Sequence, residues 1–313
     1  MITRRFIRIK VFKLLFSRVH SQTMDVPAAN EELKLSLEKT RQLYYLLLSL
    51  PVSLANYAQE RIDIGLQKFH PTDEEARPNL RFVHNRAVAV LTLDKELCKQ
   101  QEKGLNWNTQ RTFIKKLYED LREEDYFLAY MNAEKEPGFK EDLTLLLDFY
   151  ANLVDDNDDL YNLLEDLSIY WADDVTYVCN IILQVLGSLK ENVSCVHPPL
   201  YKQQEDKEFA ELLLAQALKN YDQYVAYVKQ FADNWDVERI AATDNAIIVL
   251  GVAEAVAFSS IPLKVTLNEM VELSKFFSTP NSRQFVNGVL DKILKYLTEQ
   301  GVIVKKGRGL IDN

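Results

Sequence analysis

The sequence predicts an all-α protein, and two observations carry that expectation. Glycine and proline number only 9 each in 313 residues, too little turn punctuation for a sheet-rich chain. Apolar residues recur at three- and four-residue intervals along most of the length, which is the period of an amphipathic helix. The composition, 47% hydrophobic and 27% charged, is that of a soluble globular protein.

Residues 4–19 read as a first helix with two apolar faces, one of Ile7, Val11, Leu14 and Leu15 and one of Ile9, Phe12 and Phe16. Phe6, Lys10, Lys13 and Ser17 share the remaining strip. Such a helix wants partners on both sides. Residues 30–66 read as one long helix or two, broken near Ser49, Pro51 and Ser53, because proline removes a helix hydrogen bond and clashes with the preceding turn. Residues 67–82 carry His70-Pro71-Thr72-Asp73 and Arg77-Pro78-Asn79 and read as loop. Helical patterns resume at about 81–101, 108–131, 140–167 and 172–190. Pro198 and Pro199 mark 191–204 as a linker, and helices follow at about 206–233, 236–258, 267–278 and 282–300. The end, Lys305-Lys306-Gly307-Arg308-Gly309, reads as a basic, flexible tail.

Net charge is −9 and the pI about 5.2, the wrong sign for a generic nucleic-acid binder. Distribution matters more than the sum. Residues 1–24 contain no acid but carry Arg4, Arg5, Arg8, Lys10, Lys13 and Arg18. An Arg-rich, acid-free start also suits an organelle transit peptide. The two apolar faces favour a structured helix. No apolar run reaches the roughly 18 residues that a membrane span needs. Cys98, Cys179 and Cys195 are odd in number and widely spaced, which suits a reducing compartment. Cys195 with His197 supplies two ligands where a closed zinc site needs four. Asp155-Asp156-Asn157-Asp158-Asp159 lacks the glycine and final glutamate of a calcium loop, so a solvated helix end is expected. No cofactor or metal is expected.

An ungapped internal similarity aligns Leu153–Trp171 with Ala217–Trp235, and Arg111–Leu117 echoes Arg4–Lys10. A duplicated helical half and shared helical composition both account for it.

The most informative stretch runs from Ile261 to Ile293. Pro262 fits an extended lead-in, and Thr266 with Glu269 makes a capping-box pattern. Lys264 would sit just before that helix, beside exposed amides that attract anions. Asn281 or Ser282 can cap the last helix. Phe285, Val289 and Ile293 form its apolar stripe. Gly288 within it costs about 1 kcal/mol relative to alanine and suggests close helix packing or close ligand approach.

This stretch, IPLKVTLNEMVELSKFFSTPNSRQFVNGVLDKI, resembles the closing signature of the NusB family of transcription antitermination proteins. Trp235–Phe258 is similar to the helix before it, and Asp206–Leu218 to the family's second core helix. RRFIRIKVFKLLF near the start resembles its basic first helix, with Leu15-Phe16 in place of the usual Leu-Tyr pair.

The resemblance implies a NusB-like helical bundle made of the first helix within 1–24 and a core at 205–300. A large helical insertion would fill 25–204, with a half-repeat at 109–190, before a tail at 301–313. It implies a non-enzymatic, cytoplasmic factor that binds boxA-type single-stranded RNA with a small-subunit ribosomal protein. That factor would promote read-through in ribosomal RNA operons as part of an RNA polymerase antitermination complex. A NusB-like domain also occurs fused to ribosomal RNA cytosine methyltransferases. No glycine-rich cofactor loop accompanies it here, and no room for that domain follows residue 300. The other alternative is a helical adaptor that kept the fold and lost RNA binding.

Carried over by position, Arg4, Arg5 and Arg8 are expected to meet phosphates. Phe16 takes the RNA-proximal tyrosine position or is core. Lys264 and Arg283 are expected at RNA, and Phe285 and Asn287 at RNA or in helix packing. Asp244 falls at an acidic position facing the ribosomal partner. The acidic insertion is expected to pack as a scaffold or to contact a basic protein.

Overall fold

The computed structural model describes residues 1–232 and 241–310. Among them the fold is all-α, with one isolated bridge between Ile2 and Tyr201. Helix α1 (Arg4–His20) starts where the Thr3 hydroxyl accepts the Phe6 amide. Helix α2 (Val26–Leu48) gives way at Ser49 to α3 (Leu50–Leu66), with Pro51 in the first turn of α3. Within the expected 67–82 loop, Thr72 and Glu75 close a capping box around the single turn α4 (Asp73–Ala76). Asn85 and Asp94 cap α5 (Arg86–Thr92) and α6 (Lys95–Glu102). Next come α7 (Arg111–Glu123), α8 (Asp125–Met131) and α9 (Phe139–Asp148), which widens into a π-helical stretch, Phe149–Val154. In the acidic run, Asn157 caps α10 (Asp158–Leu167) and Asp158 and Asp159 occupy its first turn, where negative charge meets the positive end of the helix dipole. A 3₁₀ turn (Ala172–Asp174) leads into α11 (Val175–Gly187). The last helices are α12 (Gln204–Lys219), α13 (Tyr221–Phe231), α14 (Ala242–Ala257), α15 (Leu263–Phe277) and α16 (Ser282–Glu299). The expected start of the 236–258 helix and the last three residues of the Ala217–Trp235 half of the internal similarity lie outside the described residues.

The chain forms two compact units. The first joins Met1–Leu37 to Leu200–Asn313. Its centre is α14, which packs against α1, α12, α13, α15 and α16. Every residue from Ala246 to Ala255 is buried, as expected of a helix apolar on all sides. Gly251 is what lets neighbours close on it: a β-carbon there would stand 2.7 Å from Leu290 Cδ2 and 2.8 Å from Met270 Cγ. Helix α1 is enclosed on a different side from the one its pattern suggested: Phe6 and Lys10 of its third strip are buried along with Ile7, Val11, Phe12, Leu14 and Leu15, while Ile9 and Phe16 of the second apolar face are half-buried.

The end of this unit departs from the expected flexible tail. Ile303 and Lys305 are buried, and the Lys305 ammonium donates to the carbonyls of Ala255 and Phe258, both at 2.9 Å. The last carbonyls of a helix have no partner within it, and a cation is favourable at the negative end of the dipole. Burial nevertheless lowers the affinity of Lys305 for its proton. Gly309 completes the dock, because a β-carbon there would fall 2.0 Å from the Ser259 carbonyl oxygen.

The second unit is Glu38–Pro199. Its core answers a problem set at the α2–α3 break. Pro51 has no N–H to give to the Leu47 carbonyl, four residues back. The Tyr150 hydroxyl donates to that oxygen instead, at 2.8 Å, and the Trp107 indole N–H donates to Leu46 O at 2.9 Å. Both side chains are buried. Further along, His197 lies between the Tyr44 hydroxyl (Nδ1, 2.9 Å) and Asp94 (Nε2, 2.9 Å). The segment around His197, within the expected 191–204 linker, is thereby pinned to this core.

Candidate nucleic-acid interface

The basic residues of α1 divide by depth. Arg8, expected as a phosphate contact, is buried. Its Nε donates to Glu254 Oε2 at 2.6 Å and its Nη2 to Oε1 at 3.1 Å, while Nη1 lies 3.5 Å from Glu269. Glu254 is itself fully buried on α14, and the Thr266 hydroxyl donates to it at 2.8 Å. A buried carboxylate needs both a counter-charge and hydrogen-bond donors, and Arg8 and Thr266 supply them. This overturns the expected capping box. Helix α15 begins four residues earlier than Leu267, at Leu263, so Thr266 lies inside it, and Glu269 faces Arg8 and Arg5.

Arg5 lies above this pair with its side chain 62% exposed. Its hydrogen bonds to Glu269, at 2.7 and 3.0 Å, hold its proton more tightly than usual. Arg4 pairs with Asp206 at 2.9 Å and lies 5.1 Å from the Phe209 ring centroid.

Cations from three helices gather around one carboxylate, Glu272. Arg5 of α1 and Arg283 of α16 both act electrostatically on Glu272 of α15, which is salt-bridged to Lys275. Lys264, Lys275 and Arg283 are exposed. Lys264 occupies the first turn of α15, where helix N–H groups are unpaired. Aromatic rings continue the strip: Phe16 lies 6.2 Å from Phe12 and stacks with His20, and Phe12 lies 4.9 Å from Phe277. Lys13 stands over Phe277 at 5.7 Å. Phe16 is half-buried rather than core.

The sequence pattern does not single out Phe276. It is 77% exposed beside the half-buried Phe277. Adjacent helix residues point about 100° apart, so one ring of a Phe-Phe pair turns outward when the other faces the core, and that was the available signal.

The other signature residues separate cleanly. Phe285 is buried, so of its two expected roles it takes packing, whereas Asn287 is exposed. Gly288 is also exposed, and a β-carbon there would meet nothing within 4 Å. The close packing expected at Gly288 occurs at Gly251 instead. Gly288→Ala is therefore expected to stabilise α16 by about 1 kcal/mol, read as slower denaturant-dependent hydrogen exchange of the α16 amides. Faster exchange there would contradict the open surface.

Asp244, expected to face a protein partner, is buried. It accepts the Ser278 hydroxyl at 2.6 Å and the Ser282 hydroxyl at 2.7 Å. Each hydroxyl has one proton to give, so Ser278 and Ser282 act as acceptors toward Thr243 (3.1 Å) and Thr279 (2.8 Å). The network holds the α15–α16 turn, placing Phe276 and Arg283. Asn281 occupies the cap position of α16 without a side-chain hydrogen bond, and Ser282 opens the helix with its hydroxyl on Asp244.

Among the described residues no group of three or more His, Cys, Asp or Glu side chains is placed to hold a metal ion. Burial pushes the Cys179 and Cys195 thiols up to about 12 and about 11, so neither is a ready nucleophile. No described helix is long and apolar enough to cross a membrane.

Comparison with known proteins bears on the same region. The NusB family profile matches residues 180–295, which takes in the end of α11 as well as α12–α16. The transcription antitermination protein NusB of Salinibacter ruber is 40% identical over 116 residues, 37% of this chain and 72% of that protein. Its namesake in Chloroherpeton thalassium is 34% identical over 106 residues, 34% of this chain and half of that protein. That of Natranaerobius thermophilus is 32% identical over 92 residues, 29% of this chain and 66% of that protein. No solved structure matches the chain.

Proposed function

The chain belongs to the NusB family, and from that premise we propose that it is a cytoplasmic, non-enzymatic transcription antitermination factor. It binds boxA-type single-stranded RNA together with a small-subunit ribosomal protein, and within the RNA polymerase antitermination complex it promotes read-through of ribosomal RNA operons. The observation that carries this reading is that α1, α15 and α16 bring Arg5, Lys275 and Arg283 to bear on the one carboxylate Glu272, with the outward-facing Phe276 following Lys275 on α15. Single strands are bound by that combination: cations neutralise phosphates and aromatic faces stack on unpaired bases. Arg5, Lys264 and Arg283 meet phosphates, Phe276 and Phe16 stack, and Asn287 offers an amide to a base edge or ribose. Arg4, held by Asp206, adjoins Arg5. Arg8 and Asp244 act from beneath by positioning α1 and the α15–α16 turn.

A helical adaptor without RNA binding is the rival reading, and one observation favours it: Arg4, Arg5 and Arg8 are each paired with a carboxylate. Titrating the full chain into labelled boxA-type RNA by fluorescence anisotropy separates the two. The titration is run with and without the ribosomal protein at two salt concentrations. Binding is expected to strengthen with the partner and weaken with salt. Lys264→Ala and Arg283→Ala should each flatten the salt dependence by about 0.7 in log–log slope, the value for one phosphate contact on a single strand. Phe276→Ala should lose about 1–3 kcal/mol of binding energy. Absence of binding in every combination would leave the adaptor.

A further inference from the structure

The second unit carries a groove of about 550 Å³ that the proposed RNA face leaves unused. Helix α3 forms one wall with Arg61, Ile64 and Gly65, Lys68 follows just past its end, and α7 and α8 form the other wall with Tyr118, Arg122 and Leu128. The α4 turn and Arg77 close one end. Gly65 lets the α4 turn sit low on α3, since a β-carbon there would stand 3.1 Å from Glu75 Cγ. Ile64 is 59% and Leu128 44% exposed on the groove surface.

Its charge runs against that of the chain. Four cations (Arg61, Lys68, Arg77 and Arg122) line it with two carboxylates (Glu74 and Glu75), in a protein of net charge −9. Lys68 and Glu75 neutralise each other at 2.5 Å. Among the described residues Arg61, Arg77 and Arg122 have no carboxylate within 4 Å. Arginine that is not held internally presents a planar fork matched to a carboxylate or phosphate, and here three such forks surround an aliphatic floor.

We propose that this groove docks an acidic segment of a partner protein, which lays aliphatic side chains on Ile64 and Leu128 and its carboxylates on Arg61, Arg77 and Arg122. The proposal is independent of RNA binding by the first unit. A peptide fits the surroundings better than a nucleic acid. The Tyr118 ring already carries the Arg61 guanidinium at 5.8 Å, so it offers no free face for a base, and Glu74 repels a continuous phosphate chain. The partner proposed for this groove is acidic, unlike the basic one expected from the insertion's overall charge, because net charge does not describe a local surface.

The test uses the full chain and a panel of short labelled peptides that interleave glutamate with leucine. Controls are the same peptides with glutamine for glutamate, and an oligouridylate. The acidic peptides are expected to bind and the glutamine peptides to bind at least about tenfold more weakly. Arg122→Glu and Arg61→Glu should each cost about tenfold or more and leave the circular dichroism spectrum unchanged. Leu128→Ser should weaken binding while preserving its salt dependence. Boxa-type RNA binding should be unaltered in all three variants, which keeps this outcome separate from that of the RNA face. Failure of every acidic peptide to bind, equal binding of the glutamine peptides, indifference to both charge reversals, or preference for oligouridylate would each overturn the proposal.

Discussion

Glu254→Ala is expected to destabilise the first unit by about 3–5 kcal/mol, the usual cost of removing one partner of a buried ion pair. The carboxylate is fully buried and accepts two hydrogen bonds from Arg8 and one from Thr266. Alanine would leave the Arg8 guanidinium in an apolar interior with only Glu269, at 3.5 Å, as counter-charge. The double variant Arg8→Met, Glu254→Leu should recover much of the loss, since apolar replacement of a whole buried pair is often neutral or better. Two units make a single unfolding midpoint ambiguous, so the measurement is denaturant-dependent hydrogen exchange resolved to the α1, α14 and α15 amides. A loss below about 1 kcal/mol would place the pair in the range of exposed salt bridges and refute its burial. The consequence for function is direct: an Arg8 variant that loses RNA binding reports a displaced α1 before it reports a lost phosphate contact.

Asp244→Ala is expected to cost about 2–4 kcal/mol, because two hydrogen bonds to a charged acceptor contribute about 1.5–3 kcal/mol each and the freed hydroxyls recover part of that in water. Asp244→Asn keeps one acceptor oxygen and should lose roughly half as much. Since the network sets the α15–α16 turn, the alanine variant should also weaken boxA-type RNA binding without altering its salt slope, and asparagine should restore most of the affinity. A residue that met the ribosomal protein directly would behave otherwise. Its alanine variant would retain stability and RNA affinity and lose only the enhancement by that protein.

These two residues show where sequence reading ended. The helices are local properties, set by side chains three or four positions apart, and most of them were legible, whereas neither cap expected at Thr266 or at Asn281 makes a side-chain capping hydrogen bond. The signature from Ile261 to Ile293 was legible as a string. It did not separate Phe285, which packs, from Asn287, which is exposed, because both fit the same helix. The capping pattern at Thr266 and Glu269 was a sound local inference defeated by a distant group: Glu254, twelve residues from Thr266 and 246 from Arg8, recruits both. Gly251 and Gly288 posed the same question in sequence. Only the helices packed around the first, and the open surface over the second, answered it.

The amino-acid sequence by itself determined that the chain is helical, where its breaks at Ser49 and Pro51 fall, that α1 is enclosed, and which family its C-terminal part resembles. Tertiary structure decided which charges are available. Arg8 and Lys305 are enclosed, Arg5 is held at the rim, and Arg61, Arg77 and Arg122 are left open. The physical reason is one of range. Helix formation follows from neighbours within one turn, whereas a cation's role depends on whether a carboxylate or carbonyl from elsewhere in the chain has removed it from water.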